Sequence, residues 1–265
     1  MTTAVLVPLR DRICAPTADA LALTAGADAT VLTEVGLPVD VARNRLAARA
    51  LALRPDVVVW CDADAVWEDA QLFDRLRSDV VRLGPRALVG VVHCRREPMA
   101  RAAAALDAKD FAGSPLEPGR HFPKAPSDPA ALLRVGFVGA HVWAHAVELL
   151  DALGSDPFAL GPHDPSEDSA FARRVREAGG ASYVDCSAVV LHYDEQRDAA
   201  YAPEQPPFRH IAGRWQPDPS WNGRAAVAVP RSYGNTVDTA RRRYLVRAGL
   251  DVGAIAGHPA PMTSE

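Results

Sequence analysis

A chain of 265 residues, 48% of them hydrophobic, can bury a sizeable core and suits one large α/β domain with room for a tail. Its net charge of −4 removes any bulk electrostatic case for nucleic-acid binding, and no apolar run approaches the roughly 18 residues needed to cross a bilayer. The cysteines Cys14, Cys61, Cys94 and Cys186 are scattered without a C-x-x-C pair, which argues against a zinc ribbon or disulfide framework and suits a reducing, cytoplasmic setting.

Met1 to Arg10 lacks a basic leader and a cleavage signature, so Ala4 to Pro8 reads as the first strand. Thr30 to Thr33 reads as the second. Asp40 is placed to cap a helix running to Leu53, with Ala42, Leu46, Ala50 and Leu53 as its apolar stripe and Pro55 as its stop. Val57 to Cys61 is β-branched and apolar, a buried third strand. A helix from Glu68 to Leu83 buries Phe73, Leu76, Val80 and Leu83, and Gly84-Pro85 ends it. Ala87 to His93 is a fourth strand. This alternation predicts βαβ units and a mostly parallel sheet.

Residues 95–130 break the regularity with six prolines and only a short alanine-rich helix at Ala100 to Leu106, an irregular insertion of a kind that is usually either functional or disordered. Leu133 to Ala140 then reads as a strand and Ala144 to Leu153 as a helix. Ser166 is placed to cap a helix from Glu167 that buries Phe171, Val175 and Ala178 and ends at Gly179-Gly180. Strands at Ala181 to Val184 and Ala188 to His192 follow. The pattern divides the chain into residues 1–194, one α/β domain, and 195–265, an irregular extension with a helix near Val237 to Arg247. In that extension Trp215 and Trp221 either contact an acceptor or pin the tail, whereas Trp143 reads as core.

The most informative stretch is Val57-Val58-Val59-Trp60-Cys61-Asp62-Ala63-Asp64. Two carboxylates one residue apart end an apolar strand, at the sheet edge where open α/β folds bind ligands. They repel each other unless a cation comes between them, and Mg²⁺ or Mn²⁺ held by a carboxylate or two plus substrate phosphates is the usual solution. The plain alternative is a surface pair in a turn.

The motifs occur in a telling order. Ala4-Val5-Leu6-Val7-Pro8 opens the chain, and Ala42-Arg43-Asn44 opens the helix before Asp62-Ala63-Asp64. Gly136-Phe137-Val138-Gly139-Ala140, Glu167-Asp168-Ser169-Ala170-Phe171, Arg176-Glu177-Ala178-Gly179-Gly180 and Leu191-His192-Tyr193 follow. Over roughly residues 3–195 the chain resembles the GT-A glycosyltransferases, nucleotide-sugar-dependent enzymes of family 2 type with one Rossmann-like domain. The resemblance implies a Mn²⁺ or Mg²⁺ ion on Asp64 and His192, with Asp62 on the ion's water shell or the donor ribose. It implies a UDP- or GDP-linked sugar along Pro8, Arg10, Glu34 and Arg43, and a small-molecule or glycan acceptor. In an inverting hexosyl transfer Asp168 is then the base for the acceptor hydroxyl, with Glu167 beside it; in a retaining one it orients the acceptor, and the stereochemistry stays open. Thr33-Glu34-Val35-Gly36 stands where many relatives carry an Asp-rich segment, so the resemblance does not extend to the nucleobase.

Each of these residues also has an ordinary reading. Acids at a helix start offset the macrodipole, arginines such as Arg43, Arg45 and Arg49 can be a solvated face, and Glu34 and Arg10 can be turn residues. Three other functions stay open. A haloacid-dehalogenase-type phosphohydrolase would use Asp62 and Asp64, but that motif opens its fold, and the chain's lysines, Lys109 and Lys124, both lie in the insertion. A nucleotidyltransferase would need a glycine-rich first loop, and Leu9-Arg10-Asp11-Arg12 has no glycine. A non-catalytic interaction module of the same fold would bind no nucleotide.

Overall fold

The computed structural model describes residues 1–26, 28–94, 132–161, 164, 166–202 and 205–221, and the backbone of 104–105. The expected helix near Val237 to Arg247, Lys109, Lys124 and most of the 95–130 insertion lie outside the described residues.

A seven-stranded sheet organises the chain. Its strands are β1 (Thr3–Leu9), β2 (Ala29–Val35), β3 (Val57–Cys61), β5 (Ala87–Val92), β7 (Leu132–Val135), β9 (Val142–Ala146) and β10 (Ala181–Val189). The spatial order is β2-β1-β3-β9-β5-β10-β7. β1, β2, β3, β5 and β10 run one way, and β9 and β7 run against them. Helices cover both faces, as buried parallel strands require. Side chains alternate along each strand, so β1 sends Leu6 to one face and Val5 and Val7 to the other. Leu6, Val58, Trp60 and Leu88 pack with α2 (Val39–Leu53), α4 (Val147–Leu153) and α5 (Glu167–Glu177). Val5, Val7, Val57, Val59 and Val89 pack with α1 (Ala15–Thr24) and α3 (Leu72–Leu83). Gly90 on β5 is needed for close packing: a Cβ there would meet Val138 at 2.6 Å and Trp143 at 3.2 Å.

A second, five-stranded sheet sits at the carboxyl ends of the parallel strands, in the order β14-β13-β12-β11-β4. It comprises β4 (Ala65–Val66), β11 (Leu191–Asp194), β12 (Ala199–Tyr201), β13 (Phe208–Ile211) and β14 (Arg214–Pro217). A short pair, β6 (Ala104–Ala105) with β8 (Phe137–Val138), completes the strands.

Several expectations change. Val142–Ala146 is a central antiparallel strand, not part of the helix expected from Ala144, because every residue of it is buried between β3 and β5. Ala104–Ala105 is strand rather than helix, paired to Val138 and Phe137. The expected strand Leu133 to Ala140 is split into β7 and β8, and α3 begins at Leu72, not Glu68. Pro38 takes the N-cap of α2 and Asp40 lies inside its first turn, while Leu53 is 53% exposed. The stretch after Asp194, expected to be irregular, forms three strands, with Ala212 and Gly213 at positive φ turning the β13–β14 hairpin. Trp215 pins that hairpin: its backbone N–H donates to Glu68 at 2.7 Å and its ring lies edge-on to Tyr193.

One core group makes stability depend on pH. The Trp60 indole N–H donates to His145 Nε2 at 2.9 Å, and His145 Nδ1 faces the Ala146 carbonyl at 2.8 Å, which satisfies a neutral ring. Burial pulls this histidine from the ordinary 6.5 down to about 4. Between those values the unfolded chain takes a proton that the folded chain refuses. The stability present above pH 6.5 is therefore lost as pH falls toward 4, by up to about 3 kcal/mol. Urea denaturation at pH 7.5 and 4.5 checks this. His145→Gln should flatten the dependence, and an unchanged slope would assign it to other groups.

Candidate metal and transfer site

The site lies where β1, β3, β5 and β10 end and β9 begins. Asp62 and Asp64 follow β3. The Asp62 N–H donates to the His141 carbonyl at 2.9 Å, which ties that loop to the residue just before β9. The Tyr193 N–H donates to the Asp64 carbonyl at 2.8 Å, and His192 pairs with Ala65 across β11 and β4. Three segments distant in sequence are thus locked together through backbone.

Asp64, His141 and His192 form a donor set whose ligand atoms lie within 4.8 Å of one another. His192 Nε2 is 3.2 Å from Asp64 Oδ2, and His141 Nδ1 is 4.0 Å from Asp64 Oδ1. The far nitrogens face backbone carbonyls: His141 Nε2 that of Leu191 at 3.1 Å, and His192 Nδ1 that of Cys94 at 2.9 Å. Such bonds orient the two rings and turn their near nitrogens toward Asp64. His141 Nδ1 is buried without a hydrogen-bond partner. His93 stacks on the far side of His141 at 5.0 Å, kept neutral by burial and by the two neighbouring imidazoles.

Asp62 stands beside this set rather than in it. Its Oδ1 accepts from Arg43 at 2.7 Å and its Oδ2 lies 3.6 Å from His141 Nδ1. Burial pushes its carboxyl up, but Arg43, His141 and His192 outweigh that and hold it below the usual range. Arg43 is neither a solvated residue nor exposed to a phosphate. It is 2% exposed, enclosed by Trp60, Trp143 and Phe158, and its Nε lies 3.5 Å from Glu167. Asn44, next to it on α2, accepts the Phe158 N–H at 2.9 Å and so holds one wall of that enclosure. Cys61 is buried, and burial pushes its thiol well up, so it is no nucleophile.

Glu167 and Asp168 open α5 after Ser166 at the N-cap. Glu167 turns inward to Arg43, and burial beside Asp168 pushes its carboxyl up to about 7. Asp168 accepts from the Ser166 hydroxyl and from the Ser169 N–H at 2.8 Å. Its Oδ2 takes a longer 3.4 Å bond from the N–H of Ala140, the residue before His141. Asp62, Asp64, His192, Arg43, Glu167 and Asp168 are therefore gathered into one linked cluster. Pro8 and Glu34 pair across β1 and β2 farther along the same edge, followed by exposed Arg10. Glu34 is engaged by Arg49 at 2.9 Å. His141 was not singled out from sequence. It sits in no motif, and only its place before an apolar segment hinted at a strand edge.

No family model matches the chain, and no curated protein matches it. Among solved structures it is similar to the crystal structure of A197 from STIV, at 15% identity and a TM-score of 0.57, over 84% of this chain and 100% of that one. That likeness shows a shared fold. CMP:2-keto-3-deoxy-manno-octonic acid synthetase complexed with CTP is more distant, at 10% identity and a TM-score of 0.40, over 69% of this chain and 89% of that one. No helix among the described residues is long and apolar enough to cross a membrane.

Proposed function

We propose that the chain is a metal-dependent glycosyltransferase of GT-A type, moving a sugar from a nucleotide-sugar to an acceptor hydroxyl. The observation that carries this reading is the convergence of Asp64, His141 and His192 at the carboxyl edge, with the buried Nδ1 of His141 unpartnered among them. A donor set of two imidazoles and a carboxylate fits a divalent cation. When bound, such an ion supplies Lewis-acid neutralisation of a leaving diphosphate. The chain's own residues do the rest. Arg43 fixes Asp62 and Glu167 from beneath. Asp168 takes the acceptor proton as the acceptor oxygen bonds the anomeric carbon, and the electron pair of the breaking C–O bond leaves with the diphosphate. The phosphohydrolase alternative is weakened because Asp62, which it needs as a nucleophile, has one oxygen held by buried Arg43.

The first test is a thermal-shift screen of UDP-, GDP- and dTDP-sugars with and without Mn²⁺. One donor class should raise the midpoint only with the ion, because ligands of the folded state stabilise it by mass action. No shift with any donor overturns the reading, and phosphate release without acceptor supports the phosphohydrolase. With the donor known, Asp168→Asn should lower turnover by ~10²-fold or more at unchanged donor affinity. Glu167→Gln should stay within several-fold of the parent and lose any titration near pH 7. The reverse pattern would move the base to Glu167.

A further inference from the structure

We infer that the free edge of β2 is a docking strand for another protein. It takes an extended segment that alternates apolar with acidic residues, and so adds a strand to the seven-stranded sheet. This surface stands apart from the metal and transfer site and is independent of the reaction performed there.

The first argument is the state of the edge. β2 stands at one end of the sheet order, and among the described residues it pairs with β1 alone. The Thr3 N–H donates to the Asp28 carbonyl at 3.2 Å, and the Gly36 N–H donates to the Leu9 carbonyl at 3.0 Å. Even-numbered residues of this strand therefore serve β1, and Val31, Thr33 and Val35 turn their backbone N–H and C=O groups outward. The register with β1 is unbroken from Ala29 to Val35. Proteins blunt such edges with lysine, proline, a bulge or a very short strand. β2 has none of these. At the opposite end of the sheet, β7 has only four residues and carries Arg134.

The second argument is the side chains flanking that edge. Alternation puts Leu32 on the α2 side, in the core, and Ala29, Val31, Thr33 and Val35 on the other side. Val31 is 46% exposed and Val35 53%, two β-branched residues that a strand beside them would cover. The α2 side is basic. Arg49 reaches from α2 to the Thr33 carbonyl at 2.8 Å and to Glu34 at 2.9 Å, and its side chain is still 45% exposed. Because the Thr33 carbonyl points outward, the guanidinium overhangs the edge. That carbonyl keeps a second lone pair for a strand N–H. Arg45 is exposed one turn before Arg49, on the same stripe of α2. A neighbouring strand, about 4.8 Å away, sends alternate side chains to the two faces. Matching both faces requires apolar residues at every second position and carboxylates between them.

The third argument separates this partner from a second copy of the chain. Two β2 strands paired antiparallel about a two-fold axis would keep their faces and bring α2 beside its own symmetry mate. Arg45 and Arg49 would then confront their counterparts, and Glu34 is the one acid β2 offers between them. Like charges so placed oppose pairing. A strand bearing carboxylates turns the same arginines into attraction, so the edge discriminates against itself and in favour of a partner of opposite charge.

The experiment uses the full chain and a short acetylated peptide of alternating valine and glutamate, N-methylated along one edge so that it cannot stack on itself. A peptide with lysine for glutamate is its control. The glutamate peptide should bind at least ~10-fold more tightly, because two charge pairs change sign between the probes. Amide exchange at Val31, Thr33 and Val35 should be fast in the free protein and slow by ~10-fold or more with that peptide bound, while the Leu32 amide, paired to β1, changes little. Neither readout needs a variant to fold. The double variant Arg45→Glu with Arg49→Glu should prefer the lysine peptide, and binding of that peptide is itself proof of an intact edge. Equal binding of the two peptides, exchange unaltered by either, or an unreversed preference in the folded double variant would each overturn the inference. Protection of the three amides in the free monomer would do the same, by showing the edge covered by the chain's own residues. So would a dimer in sedimentation velocity that Val31→Lys dissociates, which would assign the edge to a second copy.

Discussion

Asp64→Asn is expected to abolish Mn²⁺-dependent nucleotide-sugar binding and to lower turnover by ~10³-fold, the scale of losing one preorganised electrostatic stabiliser of a developing charge. The carboxamide keeps the shape of Asp64 but carries no charge. Its NH₂ can also donate to His192 Nε2, which now faces Asp64 Oδ2 at 3.2 Å. The hydrogen bond between these two side chains is thereby kept. The variant should therefore be at least as stable as the parent without metal, while the stabilisation the parent gains from Mn²⁺ disappears. Thermal midpoints with and without Mn²⁺, together with turnover, read both effects. A variant that keeps its Mn²⁺-dependent shift would remove Asp64 from the metal site.

Arg43→Met should destabilise the protein by roughly 3–5 kcal/mol, the usual result of removing one partner from a buried ion pair. Arg43 is 2% exposed and sits between Asp62 at 2.7 Å and Glu167 at 3.5 Å. Methionine fills the space among Trp60, Trp143 and Phe158 but leaves two carboxylates without their cation. The loss should depend on pH. Glu167 has its folded value raised to about 7 from 4.5, so its stabilising, protonated form is lost as pH rises through that interval. Without Arg43 the value climbs further. The variant should therefore be most compromised at pH 8 and partly recover at pH 5.5, where Glu167 stays protonated. Arg43→Lys should fall between the two, because a point charge cannot reach both carboxylates or stack within the aromatic enclosure. A loss under about 1 kcal/mol at pH 8 would show that Arg43 does not hold the site's charges together.

What the chain discloses locally follows from periodicity. Val57–Cys61 is legible to the residue because five consecutive apolar side chains are bounded by Pro55 and Asp62, and all five are buried. The stripes Ala42, Leu46 and Ala50 on α2, Phe73, Leu76 and Val80 on α3, and Phe171 and Val175 on α5 are buried as their spacing implies. Periodicity fails where one apolar run serves two elements. Residues 142–153 are nearly continuous in apolar character, and whether Val142–Ala146 extends or coils depends on the unfilled lane between β3 and β5. That lane exists only in three dimensions.

The site divides along the same line. By itself the sequence determined a strand ending in Asp62 and Asp64, a helix opening at Glu167 and Asp168, and a late histidine at a strand edge, because each depends on side chains close along the chain. Only the tertiary structure decided that His141 joins Asp64 and His192. Its position before β9 has meaning only once that strand lies antiparallel beside β3, so that the His141 carbonyl meets the Asp62 N–H. The same holds for Arg43. On a helix between Ala42 and Asn44 it reads as a charge free to face water. It is buried because Trp60, Trp143 and Phe158 arrive from three separate segments to enclose it, and because Asp62 and Glu167 arrive with them to offset its charge. Burial of a charge depends on partners distant in sequence, so no local pattern of residues encodes it.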